Sequence, residues 1–219
     1  SQSLLDLGIN VNFAPVCDVS TDPNDFIYDR TLGQDAETTA DYITRTVLTM
    51  GDAGEMAVLK HFPGYGSNAD THTGIAVDQR PMENFETADL LPFKAGIEAG
   101  TPFVLVSHNI VSCMDPDLPA SLSPAVHKVL RETCGFDGIA ITDDLAMDAV
   151  KAYAKDGAVA VMALQAGNDM VITTDYRTQI PAVIEAVKNG TLEESVIDSA
   201  CFRVLKCKDA HMYIPTLDS

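Results

Sequence analysis

Short apolar segments alternate along the chain with longer segments in which apolar residues recur every three or four positions. Five of the apolar segments are rich in Val, Ile, Leu and Phe, and they span 10–16, 55–62, 101–108, 137–144 and 168–174. Several of them lack strict apolar–polar alternation, which is typical of strands buried on both faces of a parallel sheet. The pattern therefore predicts five strands of a mostly parallel sheet.

The segments between these strands predict helices. Residues 36–51, 155–166 and 178–189 carry apolar residues at helical spacing, and Gly167 and Gly190 mark the ends of the second and third. The resulting alternation of strands and helices predicts an α/β fold built from βα units.

Two further helices are predicted from their end signals. Ser123 followed by Pro124 is a helix start, and Gly135 lies just past the end of the apolar stripe that follows. Thr191 with Glu194 predicts a capping box at the start of a last helix.

Polar residues follow the carboxyl ends of most predicted strands and bear on the choice between an open sheet and a barrel. They are Asp18, Lys60 with His61, His108, and Asp143 with Asp144. An open sheet gathers its ligand groups at one switch point, whereas every strand of a barrel ends at the same mouth. The distribution favours a (β/α)8 TIM-type barrel, of which this chain supplies about the last five βα units.

The start of the chain bears on its completeness. It opens with SQSLLDLG, within a helical pattern, and five strands are three fewer than a closed barrel needs. We therefore expect missing N-terminal residues. The sequence leaves open whether a second domain follows, and whether the protein is cytoplasmic or at the cell surface.

Composition excludes several classes of partner. The net charge is −18 and no basic stripe is visible, which argues against nucleic acid as a partner. The chain has no apolar run long enough to predict a membrane-spanning segment. Its five cysteines are odd in number and form no CxxC pair, which argues against a disulfide framework or a structural zinc site.

The segment LKHFPGYGSNADTHTG, residues 59–74, carries the densest set of reactive side chains, including His61, Asp70 and His72. In an extended segment residues two apart point the same way, so Asp70 can bond one imidazole nitrogen of His72 and leave the other to transfer a proton. The same triplet also fits two loop residues without a catalytic role. Gly64, Gly66 and Gly74 indicate a loop that moves.

Two other segments carry candidate carboxylates. Asp143 and Asp144 are adjacent at a predicted strand end, so we expect one to face the mouth and the other to cap the next turn. A strand-end carboxylate there could act as nucleophile, base or metal ligand. Asp18 is followed by a polar loop containing Arg30, whose fork could bind sugar hydroxyls, a carboxylate, or only a surface partner.

The motifs NFAPVCDV, DRTLG, KHFPGYG, the Asp70–His72 triplet and GFDGIAITDDLAMDAV occur in one order along the chain. Together they resemble the β-N-acetylglucosaminidase branch of glycoside hydrolase family 3, over about residues 5–206. The resemblance implies that residues 1–219 form the C-terminal portion of one catalytic (β/α)8 barrel domain. The chain departs from the family pattern at Tyr65, where many relatives have His. It also lacks the family's upstream V-D-x-E-G-G strand end.

The resemblance also implies roles for individual residues. Asp143 matches the nucleophile, His72 the general acid/base, and Asp70 the residue that orients the histidine. The expected substrate-binding residues are Arg30, Lys60, His61, His108, Asp18 and Met147. No metal and no cofactor are expected.

The implied activity is a retaining hydrolysis of terminal β-linked N-acetylglucosamine, and the partner is a carbohydrate. Peptidoglycan fragments, and hence a role in peptidoglycan recycling, are the first choice of substrate, and chitooligosaccharides are the second. Phosphorolysis is an alternative, because a neutral imidazole repels an incoming phosphate less than a carboxylate would. Two other readings remain open: a metal-dependent barrel hydrolase using His61, His108 and Asp143, and a catalytically silent sugar-binding barrel.

Overall fold

The structure is a computed structural model that describes residues 1–66, 76–154 and 158–211. The strands in these ranges are β1 (Val11–Asn12), β2 (Met56–Phe62), β3 (Val77–Asp78), β4 (Phe103–Val106), β5 (Ile110–Val111), β6 (Ile139–Asp144) and β7 (Met170–Ile172). The α-helices are α1 (Gln2–Leu5), α2 (Ala36–Asp52), α3 (Met82–Asn84), α4 (Leu90–Glu98), α5 (Pro124–Lys128), α6 (Asp148–Lys151), α7 (Val159–Ala166), α8 (Tyr176–Lys188) and α9 (Glu194–His211). Short 3₁₀ turns span Tyr28–Arg30 and Ala120–Leu122, and π-helical turns span Phe85–Asp89 and Val129–Thr133.

Five strands form one parallel sheet in the order β1, β2, β4, β6, β7. Each corresponds to one of the five predicted strands, so the strand prediction is confirmed, although the observed strands are shorter. The strand order follows the chain without reversal, whereas a doubly wound open sheet reverses its order at a switch point. A sheet of sequential parallel strands with intervening helices is the arrangement of a partial (β/α)8 barrel.

Both faces of this sheet are buried, as the apolar strand sequences predict. One face packs Leu59, Val104 and Ala140 into a core shared with α2, α4 and α5. The other face carries a second apolar cluster, against which α9 packs Val204 and Cys207. The strands are thus fixed from both sides, which holds their carboxyl ends in place.

Most of the predicted helix ends are confirmed. The Asp35 side chain accepts a hydrogen bond from the Thr38 N–H at 2.8 Å at the start of α2. Ser123 does the same for the Val126 N–H at 3.2 Å, with Pro124 in the first turn of α5. Gly167 ends α7 at a φ of +117°, a left-handed conformation that favours glycine.

The predicted capping box is wrong. The last helix, α9, begins at Glu194, so Thr191 lies too far upstream to be its N-cap residue. Leu192 explains the later start: its side chain is buried against α7 and α8, and its N–H donates to the Ala186 carbonyl at 3.0 Å. That tertiary contact holds the chain outside the helix at this point.

Two features between β2 and β6 were not predicted from the sequence. Residues 82–98 form α3, a π-helical turn and α4, and this helical unit packs against α2. Strands β3 and β5 pair in parallel as a separate small sheet. Among the described residues, no helix combines the length and the apolar character needed to cross a membrane.

Candidate active site

Asp18 follows Val16, which extends the β1 side of the sheet by a parallel bridge to Lys60, and it is the centre of a buried hydrogen-bond network. Its Oδ2 accepts from the His61 backbone N–H at 3.1 Å and lies 2.8 Å from His61 Nδ1, while its Oδ1 accepts from the Tyr65 N–H at 2.8 Å. Only 1% of Asp18 is exposed. The carboxylate therefore ties β1 to the end of β2 and to the turn that follows, and its predicted contact with a sugar stays a prediction.

The network continues from His61 to Arg30. Arg30 Nη2 lies 3.1 Å from His61 Nε2. Because a guanidinium can only donate, Nε2 accepts this bond and Nδ1 carries the hydrogen that is donated to Asp18. The buried carboxylate of Asp18 thus fixes the tautomer of His61. His61 in turn fixes the side chain of Arg30, an exposed residue.

Lys60 lies near the carboxyl end of β2 and interacts electrostatically with Asp143, the predicted nucleophile. Its burial and the nearby positive charge of Arg30 lower the pKa of the Lys60 ammonium, whereas the carboxylates of Asp143 and Asp18 act in the opposite direction. The half-buried ammonium thus interacts electrostatically with three of the other predicted site residues, Arg30, Asp143 and Asp18. Because β1, β2, β4 and β6 pair in parallel, their carboxyl ends lie at one edge of the sheet, as the barrel prediction requires.

The two adjacent carboxylates at the end of β6 have different surroundings. Asp144 Oδ1 accepts hydrogen bonds from the Ala146 N–H at 2.9 Å and from the Thr174 N–H at 3.1 Å. The expectation that one carboxylate caps the next turn is confirmed for Asp144. Asp143 Oδ1 accepts only a local bond, from the Asp144 N–H at 2.9 Å, among the contacts described for it, and it interacts electrostatically with Lys60.

His108 supports this strand end from within the protein. Its Nε2 lies 3.0 Å from the Asp144 carbonyl oxygen and its Nδ1 lies 2.8 Å from Ser121 Oγ. A carbonyl can only accept, so Nε2 carries a hydrogen, and in the neutral ring Nδ1 accepts from the Ser121 hydroxyl. The residue is fully buried, and its described contacts position β6; contact with a sugar stays a prediction.

Three predicted site residues remain: the structure describes Met147, but not Asp70 and His72. Met147 is half-buried in the turn after β6, where its N–H donates to the Asp144 carbonyl at 3.0 Å. Asp70 and His72, the predicted acid/base pair, lie outside the described residues. Their predicted roles therefore rest on the sequence motif alone.

A cluster that sequence reasoning missed lies next to the KHFPGYG turn. Arg80 binds Asp78 and Asp89, and its guanidinium fills the space beside Gly66. The Asp78-Gln79-Arg80 triplet was a usable signal, because alternate residues of an extended segment share a face. Asp89 had no such signal, since it comes from the helical unit that sequence reasoning did not predict.

The described side chains do not form the metal site that a metal-dependent barrel hydrolase would need. Both ring nitrogens of His61 face protein partners, and so do those of His108. Within residues 1–66, 76–154 and 158–211, no three His, Cys, Asp or Glu side chains converge as a metal-ligand group. The geometry thus gives no support to a ligand set of His61, His108 and Asp143.

Comparison with known proteins gives consistent relatives. A β-hexosaminidase from Xylella fastidiosa (strain M12) is 37% identical over 166 residues, which are 75% of this chain and 49% of that protein. The β-hexosaminidase LpqI of Mycobacterium bovis (strain BCG / Pasteur 1173P2) is 34% identical over 214 residues, which are 92% of this chain and 55% of that protein. This chain therefore spans about half the length of these two relatives.

The solved structures agree with the sequence relatives. A glycoside hydrolase family 3 β-N-acetylglucosaminidase from Paenibacillus sp. str. FPU-7 superposes with a TM-score of 0.90 at 33% identity, over 99% of this chain and 43% of that one. The family model described as the glycosyl hydrolase family 3 N terminal domain matches residues 1–207. The chain therefore belongs to glycoside hydrolase family 3, and its parallel sheet is part of that family's barrel.

Proposed function

We propose that the protein containing this chain is a retaining glycosidase that hydrolyses terminal β-linked N-acetylglucosamine. The observation that carries the proposal is the convergence of Asp143, Lys60 and the Asp18–His61–Arg30 network at the carboxyl ends of β1, β2 and β6. This is the end of a barrel at which catalytic side chains gather. The β-hexosaminidase activity named for the relatives supports the same reaction.

In the proposed first step, the Asp143 carboxylate attacks the anomeric carbon of the terminal sugar. His72, in its protonated form, donates its proton to the glycosidic oxygen as the carbon–oxygen bond breaks. The products are a covalent glycosyl-enzyme, the released aglycone alcohol and a neutral His72. Asp70 orients the imidazole and stabilises its charged form.

In the proposed second step, neutral His72 takes a proton from water, which attacks the same anomeric carbon. The bond to Asp143 breaks, the carboxylate is restored and His72 is again protonated. Two inversions at one carbon give net retention. If phosphate replaced water as the nucleophile, the product would be a sugar phosphate, which is the alternative to be separated by product analysis.

The described residues around Asp143 suit this reaction. Lys60 supplies a cation that interacts electrostatically with the Asp143 carboxylate. Arg30 is fixed through His61 and presents a fork that can bind sugar hydroxyls. We also propose that residues 1–219 are the C-terminal portion of one catalytic barrel domain, as the uninterrupted strand order supports.

The test uses Asp143→Asn in the whole protein that contains this chain, with Asp144→Asn as the matched control. Hydrolysis of an aryl β-N-acetylglucosaminide should fall by at least about 10³-fold in the first variant, because the nucleophile is removed. The control keeps a side-chain oxygen that can accept the hydrogen bonds from the Ala146 and Thr174 N–H groups, so it should retain most activity. A slow 5-fluoro glycoside should label the peptide that contains Asp143, as mass spectrometry can detect.

Three results would overturn the proposal. Activity that survives Asp143→Asn, or a label on another peptide, would remove Asp143 as the nucleophile. Product anomers resolved by NMR must show retention, and inversion would contradict the mechanism. Assays with muropeptides, chitooligosaccharides and added inorganic phosphate distinguish the proposed substrates and separate hydrolysis from phosphorolysis.

A further inference from the structure

Asp78, Arg80 and Asp89 form an ion cluster beside the turn that follows β2. Arg80 Nε lies 3.1 Å and 3.0 Å from the two carboxylate oxygens of Asp78, and its Nη2 lies 2.7 Å from Asp78 Oδ2. Its Nη1 and Nη2 donate to the two oxygens of Asp89 at 2.9 Å and 3.1 Å. One planar guanidinium therefore holds two carboxylates through bidentate contacts, which lysine could not reproduce.

The cluster contacts the turn after β2 at two glycines. A Cβ atom added to Gly64 would lie 2.7 Å from Asp89 Oδ1, and one added to Gly66 would lie 2.5 Å from Arg80 Nη1. Both glycines also have positive φ, +117° and +52°. These residues are thus explained by close packing against the cluster, while the motion predicted from them stays a prediction.

The same cluster is fixed to the rest of the fold. Asp78 belongs to β3, and its carbonyl accepts from the Ser112 N–H at 2.8 Å, next to β5. Asp89 ends the π-helical turn that leads into α4, and the Phe85 ring of that turn lies 4.6 Å below the Arg80 guanidinium. Both carboxylates are 2% exposed. Arg80 therefore links the turn after β2 to β3 and α4.

We infer that Arg80, held by Asp78 and Asp89, is a positioning residue for the proposed acid/base pair. It fixes the chain on both sides of the segment that contains Asp70 and His72, at Gly66 before it and at Asp78 after it. A side chain that must meet a glycosidic oxygen needs both ends of its segment held, because misplacement by about 1 Å can lower a rate about 100-fold. The inference rests on the proposed function.

The experiment compares Arg80→Lys with the unchanged whole protein on two aryl β-N-acetylglucosaminides. The dinitrophenyl glycoside has a leaving group that departs without protonation, whereas the methylphenyl glycoside needs the acid. We expect kcat/KM to fall about 10- to 100-fold for the methylphenyl glycoside, which is part of the rate enhancement that a general acid supplies. For the dinitrophenyl glycoside we expect kcat/KM to fall less than about threefold. A loss of folded enzyme would lower both equally.

Arg131→Lys is the matched control. Arg131 is also partly buried, binds a carboxylate, that of Asp169, at 2.8 Å, and lies 5.3 Å from an aromatic ring centroid. It contacts the Gly138 carbonyl just before β6, so it lies away from the strand ends that carry the site. We expect this variant to change the two substrates by the same factor.

A double-mutant cycle separates failure of the inference from failure of the proposed function. If Arg80 acts through His72, Arg80→Lys should add no leaving-group dependence to His72→Ala. The inference alone would be overturned if Arg80→Lys lowered kcat/KM equally for both substrates while His72→Ala still lowered it more for the methylphenyl glycoside. Equal losses in His72→Ala would overturn the acid role of His72. If Arg80→Lys does not fold, Asp89→Asn, which keeps the contact with Gly64, is measured by the same criterion.

Discussion

Replacing Asp89 by asparagine tests the electrostatics of the cluster through stability. Burial raises the pKa of the Asp89 carboxyl from 3.8 to about 6, because the opposing effect of the Arg80 charge is smaller. Asp78 and Asp18 add smaller increases in the same direction. The folded protein therefore keeps a proton up to about pH 6 that the unfolded chain releases near pH 4.

The sign of the effect follows from this difference in proton binding. The stabilisation that the protonated group contributes is complete below its unfolded pKa, and it is lost as the pH rises through about 6. Since one pKa unit corresponds to about 1.4 kcal/mol, the full loss is about 3 kcal/mol. Asparagine does not titrate, so Asp89→Asn should lack this loss.

The assay is urea unfolding of both proteins at intervals from about pH 4.5 to about pH 7.5. The difference in unfolding free energy, wild type minus variant, should fall by about 2 kcal/mol across this range, because about a third of the full loss has already occurred at about pH 4.5. Because the chain carries a net charge of −18, both proteins will show a general pH dependence, and the difference removes it. Asp148→Asn, at an exposed position, should leave the curve shape unchanged. A constant or rising difference for Asp89→Asn would refute the reasoning.

Three further predictions concern the site and the core. Arg30→Lys removes the fork fixed by His61, and KM for an aryl β-N-acetylglucosaminide should rise about tenfold with little change in the pH profile. His108→Leu removes the ring partner of the buried Ser121 hydroxyl and one of the two donors to the Asp144 carbonyl. This should cost about 1–3 kcal/mol and lower kcat together with Tm; an unchanged kcat would contradict its support of β6. Gly96→Ala places a methyl 2.6 Å from a β2 side chain, so urea unfolding should show a loss of about 1–3 kcal/mol.

The five main strands could be predicted because each is buried on both faces and therefore apolar throughout. The barrel could be predicted because polar residues follow several strand ends, and the uninterrupted strand order agrees. The helical unit at 82–98 could not be recognised as easily. A π-helical turn at Phe85–Asp89 interrupts the helical spacing, and Pro92 lies within α4.

Strands β3 and β5 could not be predicted from the sequence, for a different reason. Each contains two residues, too few for a periodicity, and their pairing depends on contacts between distant parts of the chain. The start of α9 shows the same limit, because the burial of Leu192 overrides the local capping signal at Thr191. Local patterns predict elements that their own sequence specifies, and they fail where a tertiary contact decides.

The site shows that limit at the level of single residues. The resemblance assigns Asp18, His61 and Arg30 alike to substrate binding. The structure orders them by depth, from a buried carboxylate through a buried imidazole to the side chain of an exposed arginine. Each group fixes the next, so the outermost donor is held in place before any ligand arrives. Such preorganisation lowers the cost of ordering a long side chain on binding. A motif records which residues are needed, whereas only their burial and partners distinguish a residue that can meet a sugar from one that holds it in position.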